Sequence, residues 1–187
     1  MSIPDPSRQY TCEDWLKWEG RWELIDGKAY NMTAAPSSQH QFAVGELFFV
    51  MRSFFQNKDC LVFTAPFDVY FSASGNYEKP DDIAQPDIAV VCDKSQVVNK
   101  GCYGAPTIIV EVLSPATALK DYNEKFQAYQ KYGVQEYWIV DPANRMVHVY
   151  GLHEGLYAKR TTYGDQDELK SAIFADLSIP LLPVFEM

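Results

Sequence analysis

The chain has 187 residues, 47% of them hydrophobic, with 16 Lys and Arg against 25 Asp and Glu and a formal charge of −9. A chain of this size buries roughly 70% of the surface that its unfolded form exposes, so it needs no staples, and its composition excludes both a disordered segment and a mini-scaffold. The acidity argues against a generally basic nucleic-acid coat, because phosphate binding is driven mainly by Lys and Arg.

The longest apolar run, Leu47 to Met51, is far short of the roughly 18 residues of a membrane span, and Met1 to Pro6 lacks the basic and apolar pattern of a secretory leader. A cytoplasmic protein with no membrane segment is expected. With no repeat, low-complexity tract or long linker, residues 1–187 read as one domain, loosest between Ser72 and Ala84. Cys12, Cys60, Cys92 and Cys102 lie far apart without C-x₂-C spacing, which disfavours zinc. Cys60 and Cys92 sit among apolar neighbours and read as small buried hydrophobes.

A short helix is expected near Cys12 to Glu19. Trp22 to Ile25, Asp26-Gly27 and Lys28 to Met32 then read as a β-hairpin, since Asp-Gly is the strongest short hairpin signal. Pro36-Ser37-Ser38 supplies an N-cap for a core helix of about 18 residues. At 100° per residue Val44, Leu47, Phe48, Met51 and Phe55 share one stripe with His40 at its leading end. Glu46 falls on the opposite, solvent-facing side with Phe42 and Phe49, two aromatics that hint at a subunit contact.

Strand signals follow at Cys60 to Thr64, Phe67 to Phe71, Asp87 to Cys92 and Thr107 to Leu113. The last is nearly all apolar, as expected of a central strand buried on both faces. Ser114-Pro115 reads as a cap followed by Pro at the first helical position, with the helix running to Lys131 or Tyr132 and stopped by Gly133. Glu136 to Val140 closes a strand–helix–strand unit, and Met146 to Tyr150, Leu156 to Tyr163 and Leu169 to Phe174 read as hairpin strands. The fold class is α/β, with a central sheet flanked by helices.

Glu111 is the anomaly. Inside an apolar strand an unpaired carboxylate costs several kcal/mol, so it needs a cation, a metal or a shifted pKa. Asp87 opens the preceding strand after Gln85-Pro86. If the two strands are neighbours, both carboxylates converge on one sheet edge and can hold a hard divalent cation through oxygen. On the following helix Leu119, Tyr122, Phe126 and Tyr129 form the apolar stripe, with Lys125 at its border, Asp121 one turn earlier, and Lys120 pointing further away. The plain alternative for Asp121 and Lys125 is a solvated surface ion pair. For His40 it is a histidine hydrogen-bonded for structure, and Glu23 beside the Asp26-Gly27 turn is an additional acid of the cleft. No G-x-S-x-G elbow, H-E-x-x-H, P-loop or G-x-G-x-x-G is present, which removes support for hydrolase triads, zincins, P-loop enzymes and dinucleotide oxidoreductases.

Gln85-Pro86-Asp87-Ile-Ala-Val-Val, Ile109-Val-Glu111-Val-Leu-Ser114-Pro115, the spaced Asp121 and Lys125, and Tyr132-Gly133 through Glu136-Tyr137-Trp138 to Asp141-Pro142 resemble the Uma-two family of the PD-(D/E)XK nuclease superfamily. Trp22-Glu23-Leu-Ile-Asp26-Gly27 and His40-Gln41 match its N-terminal pattern, so the resemblance spans most of the chain. It implies a restriction-endonuclease-like central mixed β-sheet flanked by helices, and metal-assisted hydrolysis of phosphodiester bonds, with DNA as substrate and RNA or branched structures left open. Asp87 and Glu111 would hold Mg²⁺ or Mn²⁺, with the Val112 carbonyl a third ligand. Leu113 stands where the motif's lysine belongs, and the resemblance implies that Lys125 from the helix replaces it, with Glu23, His40 and Asp121 as secondary residues.

The competing reading is a nuclease-fold nucleic-acid-binding or assembly module that has lost catalysis, suggested by Leu113 and by the acidity. A homodimer is expected, as for many nucleases that cut both strands. Residues 94–187 carry 9 basic and 11 acidic groups, so a nucleic-acid face of weak nonspecific affinity would lie there, near lysines 94, 100, 120, 125 and 131.

Overall fold

The computed structural model describes residues 4–5, 7–32 and 35–187, so the leader reading of Met1 to Pro6 falls mostly outside the described residues. In chain order the elements are α1 (Cys12–Trp15), β1 (Trp22–Ile25), β2 (Lys28–Asn31), α2 (Ser38–Phe55), β3 (Leu61–Thr64), β4 (Asp68–Phe71), β5 (Asp82–Ala84) and β6 (Ile88–Val91). A 3₁₀ turn (Lys94–Gln96), β7 (Val97–Val98), β8 (Gly101–Tyr103) and β9 (Ile108–Val112) follow. Next come α3 (Ala118–Lys120), a π-helical turn (Asp121–Lys125) and α4 (Phe126–Tyr132). The chain closes with β10 (Glu136–Asp141), β11 (Met146–His153), β12 (Leu156–Gly164), β13 (Glu168–Lys170), β14 (Ser178–Pro180) and α5 (Leu182–Phe185).

Two six-stranded mixed sheets carry the architecture. The central one has the order β12-β11-β10-β9-β6-β3, with β9 and β10 parallel as the strand–helix–strand unit requires. The second has the order β2-β1-β5-β4-β8-β7. It contains β5, all of it buried, inside the stretch that reads as loosest in sequence. Asp82-Ile83-Ala84 is too short for its periodicity to register, and it becomes a strand because β1 and β4 flank it on both sides.

Alternation along the central strands decides what faces the site. Ile108, Val110, Val112, Trp138 and Val140 pack on the α2 side with Leu47, Met51 and Phe55. Ile109, Tyr137 and Ile139 point the other way, against Ala128 and Tyr129 of α4 and Val69 and Phe71 of the second sheet. Glu111 shares the parity of Ile109, so it enters the layer between the central sheet, α4 and the second sheet.

Local chemistry explains most boundaries. Asp26 and Gly27 both take positive φ, 49° and 68°, as a tight hairpin turn demands. Ser37 caps α2, its hydroxyl accepting the His40 N–H. Gly133, at φ 86°, ends α4 in the left-handed conformation. The helix after β9 begins at Ala118, not at Pro115, because Ser114 to Thr117 forms a hydrogen-bonded turn first. α1 is shorter than expected, the strand expected at Leu169 to Phe174 is β13 at Glu168–Lys170, and Glu46 is half-buried instead of solvent-facing.

Cys60 and Cys92 are a further correction. They flank the paired residues Leu61 and Val91 of β3 and β6 and form a disulfide, half-buried, where neighbouring side chains alone suggest two free thiols. Cys12 and Cys102 are free and buried. Phe42 is half-buried and Phe49 remains 67% exposed. Among the described residues no helix is long and apolar enough to cross a membrane.

Candidate active site

The register of β6 and β9 brings the two proposed acids together. Ile88 pairs with Val110, and continuing by one residue sets Asp87 across from Glu111 on the same face. Asp87 Oδ2 accepts the Val112 N–H at 2.8 Å and lies 3.2 Å from His40 Nε2 at the start of α2. The Asp87 side chain is 19% exposed and that of Glu111 only 4%, so Asp87 stands at the rim and Glu111 behind it.

Glu111 Oε1 receives two donors from the helical segment, Lys125 Nζ at 2.8 Å and Tyr129 Oη at 2.6 Å. Lys125 Nζ is also 2.8 Å from Glu23 Oε1 and 3.8 Å from Asp121 Oδ1. Glu23, on β1 of the second sheet, binds Lys120 through Oε2 at 2.5 Å and takes the Gln85 N–H on Oε1 at 2.8 Å. Gln85 in turn holds Asp68 and is held by the Arg21 guanidinium. The cluster therefore ties the second sheet, through Glu23, to Glu111 of the central sheet and to the Gln85 segment that leads into Asp87.

The π-helical turn is what makes this possible. In a regular α-helix residues five apart sit about 140° around the axis from each other, whereas i→i+5 bonding brings them toward the same face. Lys120 and Lys125 are five apart and both are buried on Glu23. Lys120 is thus a site residue and does not point away, while Leu119, expected in the apolar stripe, is 80% exposed. Asp121 and Lys125 are no solvated surface pair, since Lys125 is only 1% exposed and Asp121 is equally inaccessible. Two of the five lysines that suggested a nucleic-acid face are consequently interior.

Burial pushes the Glu111 carboxyl up to about 8, with Asp121, Asp87 and Glu23 adding to the rise and Lys125 opposing it. Burial also raises Asp121 against the pull of Lys125 and Lys120. For Glu23 burial acts in the same sense, but Lys125 and Lys120 outweigh it and hold the carboxyl below its ordinary value. Lys125 is disfavoured as a cation by burial and still lies above the usual range, because Glu111, Glu23 and Asp121 surround it. His40 is raised as well; burial lowers it, and the hydrogen bond and charge of Asp87 prevail.

All six expected residues, Asp87, Glu111, Lys125, Glu23, His40 and Asp121, thus fall in one connected cluster. Three participants escape a sequence reading. Tyr129 was legible only as apolar stripe, although its place four residues after Lys125 puts it on the same face. Lys120 follows a spacing that only a π-turn makes useful, and Gln85 contributes its backbone. Among the described residues Asp121 Oδ1 and His40 Nδ1 are buried without a hydrogen-bond partner. No three His, Cys, Asp or Glu side chains among them are grouped to ligate a metal by themselves. A hollow of about 530 Å³, lined by Glu13, Asp26, Lys79, Asp81 and Lys131 among others, shares no residue with the cluster.

Three comparisons with known proteins point one way. The solved structure of a protein from Anabaena variabilis ATCC 29413, described as a “putative nuclease belonging to DUF820”, superposes with a TM-score of 0.74, covering 94% of this chain and 97% of that one at 21% identity. The fold is therefore shared with that protein. An uncharacterized protein of Synechocystis, slr1290, is 26% identical over 150 residues, which is 78% of this chain and 75% of that protein. The family described as “Putative restriction endonuclease”, Uma2, matches residues 12–183, and the chain belongs to the Uma2 family.

Proposed function

We propose that the protein is a divalent-metal-dependent endonuclease that hydrolyses phosphodiester bonds of DNA. The observation that carries this reading is the Lys125 ammonium, delivered by the π-turn to within 2.8 Å of Glu111 while Leu113 stands two residues after that acid, just past the end of β9. A cation donor, two acids and a rim opening occur at one strand edge, the arrangement that phosphoryl hydrolysis needs.

The residues fit a hard divalent ion. Mg²⁺ is commonly held by one or two carboxylates, with water and substrate phosphate completing its shell, so no three-acid cage is required. Asp87 and Glu111 supply the carboxylates and the Val112 carbonyl a third oxygen. Four acids, Glu23, Asp87, Glu111 and Asp121, face only Lys120, Lys125 and a titratable His40, and Glu111 is pushed up to about 8 by that surplus together with burial. When bound, Mg²⁺ or Mn²⁺ would lower the pKa of a coordinated water and neutralise phosphate charge.

The chain's own groups do the rest. Tyr129 and Lys125 fix Glu111 through Oε1, which leaves Oε2 to face a cation. His40 and the Val112 N–H fix Asp87. Lys125, kept positive by its acidic neighbours, stabilises the charge that develops on the phosphoryl oxygens. Exposed Phe49, with Phe42 beside it on α2, forms the contact of a homodimer, which sedimentation of wild type against Phe49→Asp tests.

Supercoiled plasmid incubated with the protein and Mn²⁺ is nicked by wild type and left intact by Asp87→Ala or in excess EDTA. Equal cutting by wild type and Asp87→Ala removes the assignment. Parallel single-stranded RNA and branched DNA substrates decide the substrate class. The second reading, a module without catalysis, draws on the pairing of the buried Lys125 with Glu23 and Glu111. It predicts nucleic-acid binding without cleavage.

A further inference from the structure

Lys125 Nζ carries three N–H donors; one is hydrogen-bonded to Glu111 Oε1 at 2.8 Å, and Glu23 Oε1 is an ion-pair partner at the same distance. Asp121 Oδ1 lies 3.8 Å from the same nitrogen, an ion-pair distance beyond hydrogen-bond reach. That oxygen is buried and, among the described residues, has no hydrogen-bond partner. A donor and an acceptor left over in one buried cluster, too far apart for a direct bond, are close enough for one water beside them to touch both.

We infer that Asp121 Oδ1 and Lys125 Nζ together hold one ordered water, and that Asp121 is the proton acceptor for that water when it attacks a phosphodiester. The second half of this statement rests on the nuclease reading; the first does not. The ammonium donates to the water oxygen and the water donates to Asp121, which leaves an oxygen lone pair free. That lone pair forms the new P–O bond, the water proton passes to Asp121 Oδ1, and the P–O bond to the departing sugar oxygen breaks. The departing alkoxide takes a proton from bulk water, and Asp121 returns its own to solvent. The sequence placed Asp121 only one turn before Lys125, as a secondary residue; the 3.8 Å separation gives it a task of its own.

A crystal structure of the full wild-type chain, at a resolution that shows water, is the first arm. Density within hydrogen-bond distance of both Asp121 Oδ1 and Lys125 Nζ is expected. Direct contact between the two side chains, or an ordered site without such density, overturns the water site whether or not the protein cuts nucleic acid. The second arm is plasmid nicking in Mn²⁺ by Asp121→Asn and Asp121→Ala, both checked by thermal melting. The expected kcat falls by about 100-fold with KM and calorimetric Mn²⁺ affinity unchanged, and formate partly rescues Asp121→Ala alone. An Asp121→Asn protein within threefold of wild-type kcat overturns the proton-acceptor role. A wild-type protein that cuts nothing defeats the nuclease reading and this role with it, and the density then decides the water site by itself.

Discussion

Glu111 and Glu136 lie in neighbouring parallel strands, three register steps apart, and both are buried. Their partners are of different kinds. Glu136 is satisfied by neutral donors, the Ser171 hydroxyl at 2.6 Å and the Ala172 N–H at 3.0 Å, which fasten the segment after β13 to the sheet. Glu111 is held by an ammonium and a phenol, stands next to a rim acid, and has a buried carboxylate with an unpartnered oxygen across the same lysine. A buried carboxylate is therefore no mark of chemistry by itself. Glu136 shows how such a group is made structural, by giving each oxygen its own neutral donor, and Glu111 shows one left coupled to other charges.

The sharpest way to break this contrast is to remove the cation. Lys125→Met leaves Glu23, Glu111 and Asp121 facing each other in the interior, and urea denaturation should show a loss of about 3–5 kcal/mol along with all cleavage. Adding Glu111→Gln to that variant should recover part of the stability and none of the activity. Next comes an exchange of roles between the two glutamates. Glu136→Ala should cost about 1–3 kcal/mol, since it strands the buried Ser171 hydroxyl and releases the Ala172 N–H, while cleavage per folded molecule stays at the wild-type rate. Glu111→Gln should do the opposite, cutting the rate by about 100-fold or more with stability at pH 7 unchanged or higher. If both variants lose activity to the same degree, the distinction collapses.

Proton linkage offers a milder test. Glu111 has an ordinary value of 4.5 and is pushed up to about 8 in the folded protein, so the folded state binds more protons between those limits. Stability of the metal-free protein must then fall as pH rises from about 4.5 to 8, by a few kcal/mol at most, and level off above. Asp121, raised from 3.8, and His40, raised from 6.5, add the same sign within and above their own ordinary values. Glu23, held below 4.5, acts only at lower pH. Glu111→Gln should flatten the slope between pH 5 and 6.5, which melting curves at fixed ionic strength would read. The smallest effect expected is that of Tyr129→Phe, which removes one donor from Glu111 Oε1 and should lower the cleavage rate by about tenfold, roughly 1.4 kcal/mol.

Much of the scaffold was written in local sequence. Asp26-Gly27 specified the first hairpin, Ser37 the start of α2 and Gly133 the end of α4, because turns and caps are decided by a few adjacent residues. The apolar run around Glu111 identified a central strand and an acid that required a partner. Asp87, Lys125, Glu23, His40 and Asp121 were all legible as candidates, and each joins the cluster.

What sequence could not supply were the relations that depend on distant partners or on a departure from helical period. The Cys60–Cys92 bridge exists because β3 and β6 pair in one register, and β5 exists because β1 and β4 flank it. Lys120 and Lys125 converge on Glu23 only because the helix relaxes to i→i+5 bonding between them, which a 100° wheel cannot represent. The sequence by itself determined which residue types the chain offers to a site and at which strand and helix ends they fall. The tertiary structure decided their partners, and in a buried cluster it is the partner, through charge, desolvation and unfilled hydrogen bonds, that makes a carboxylate either a neutral fastening or a member of a charged network.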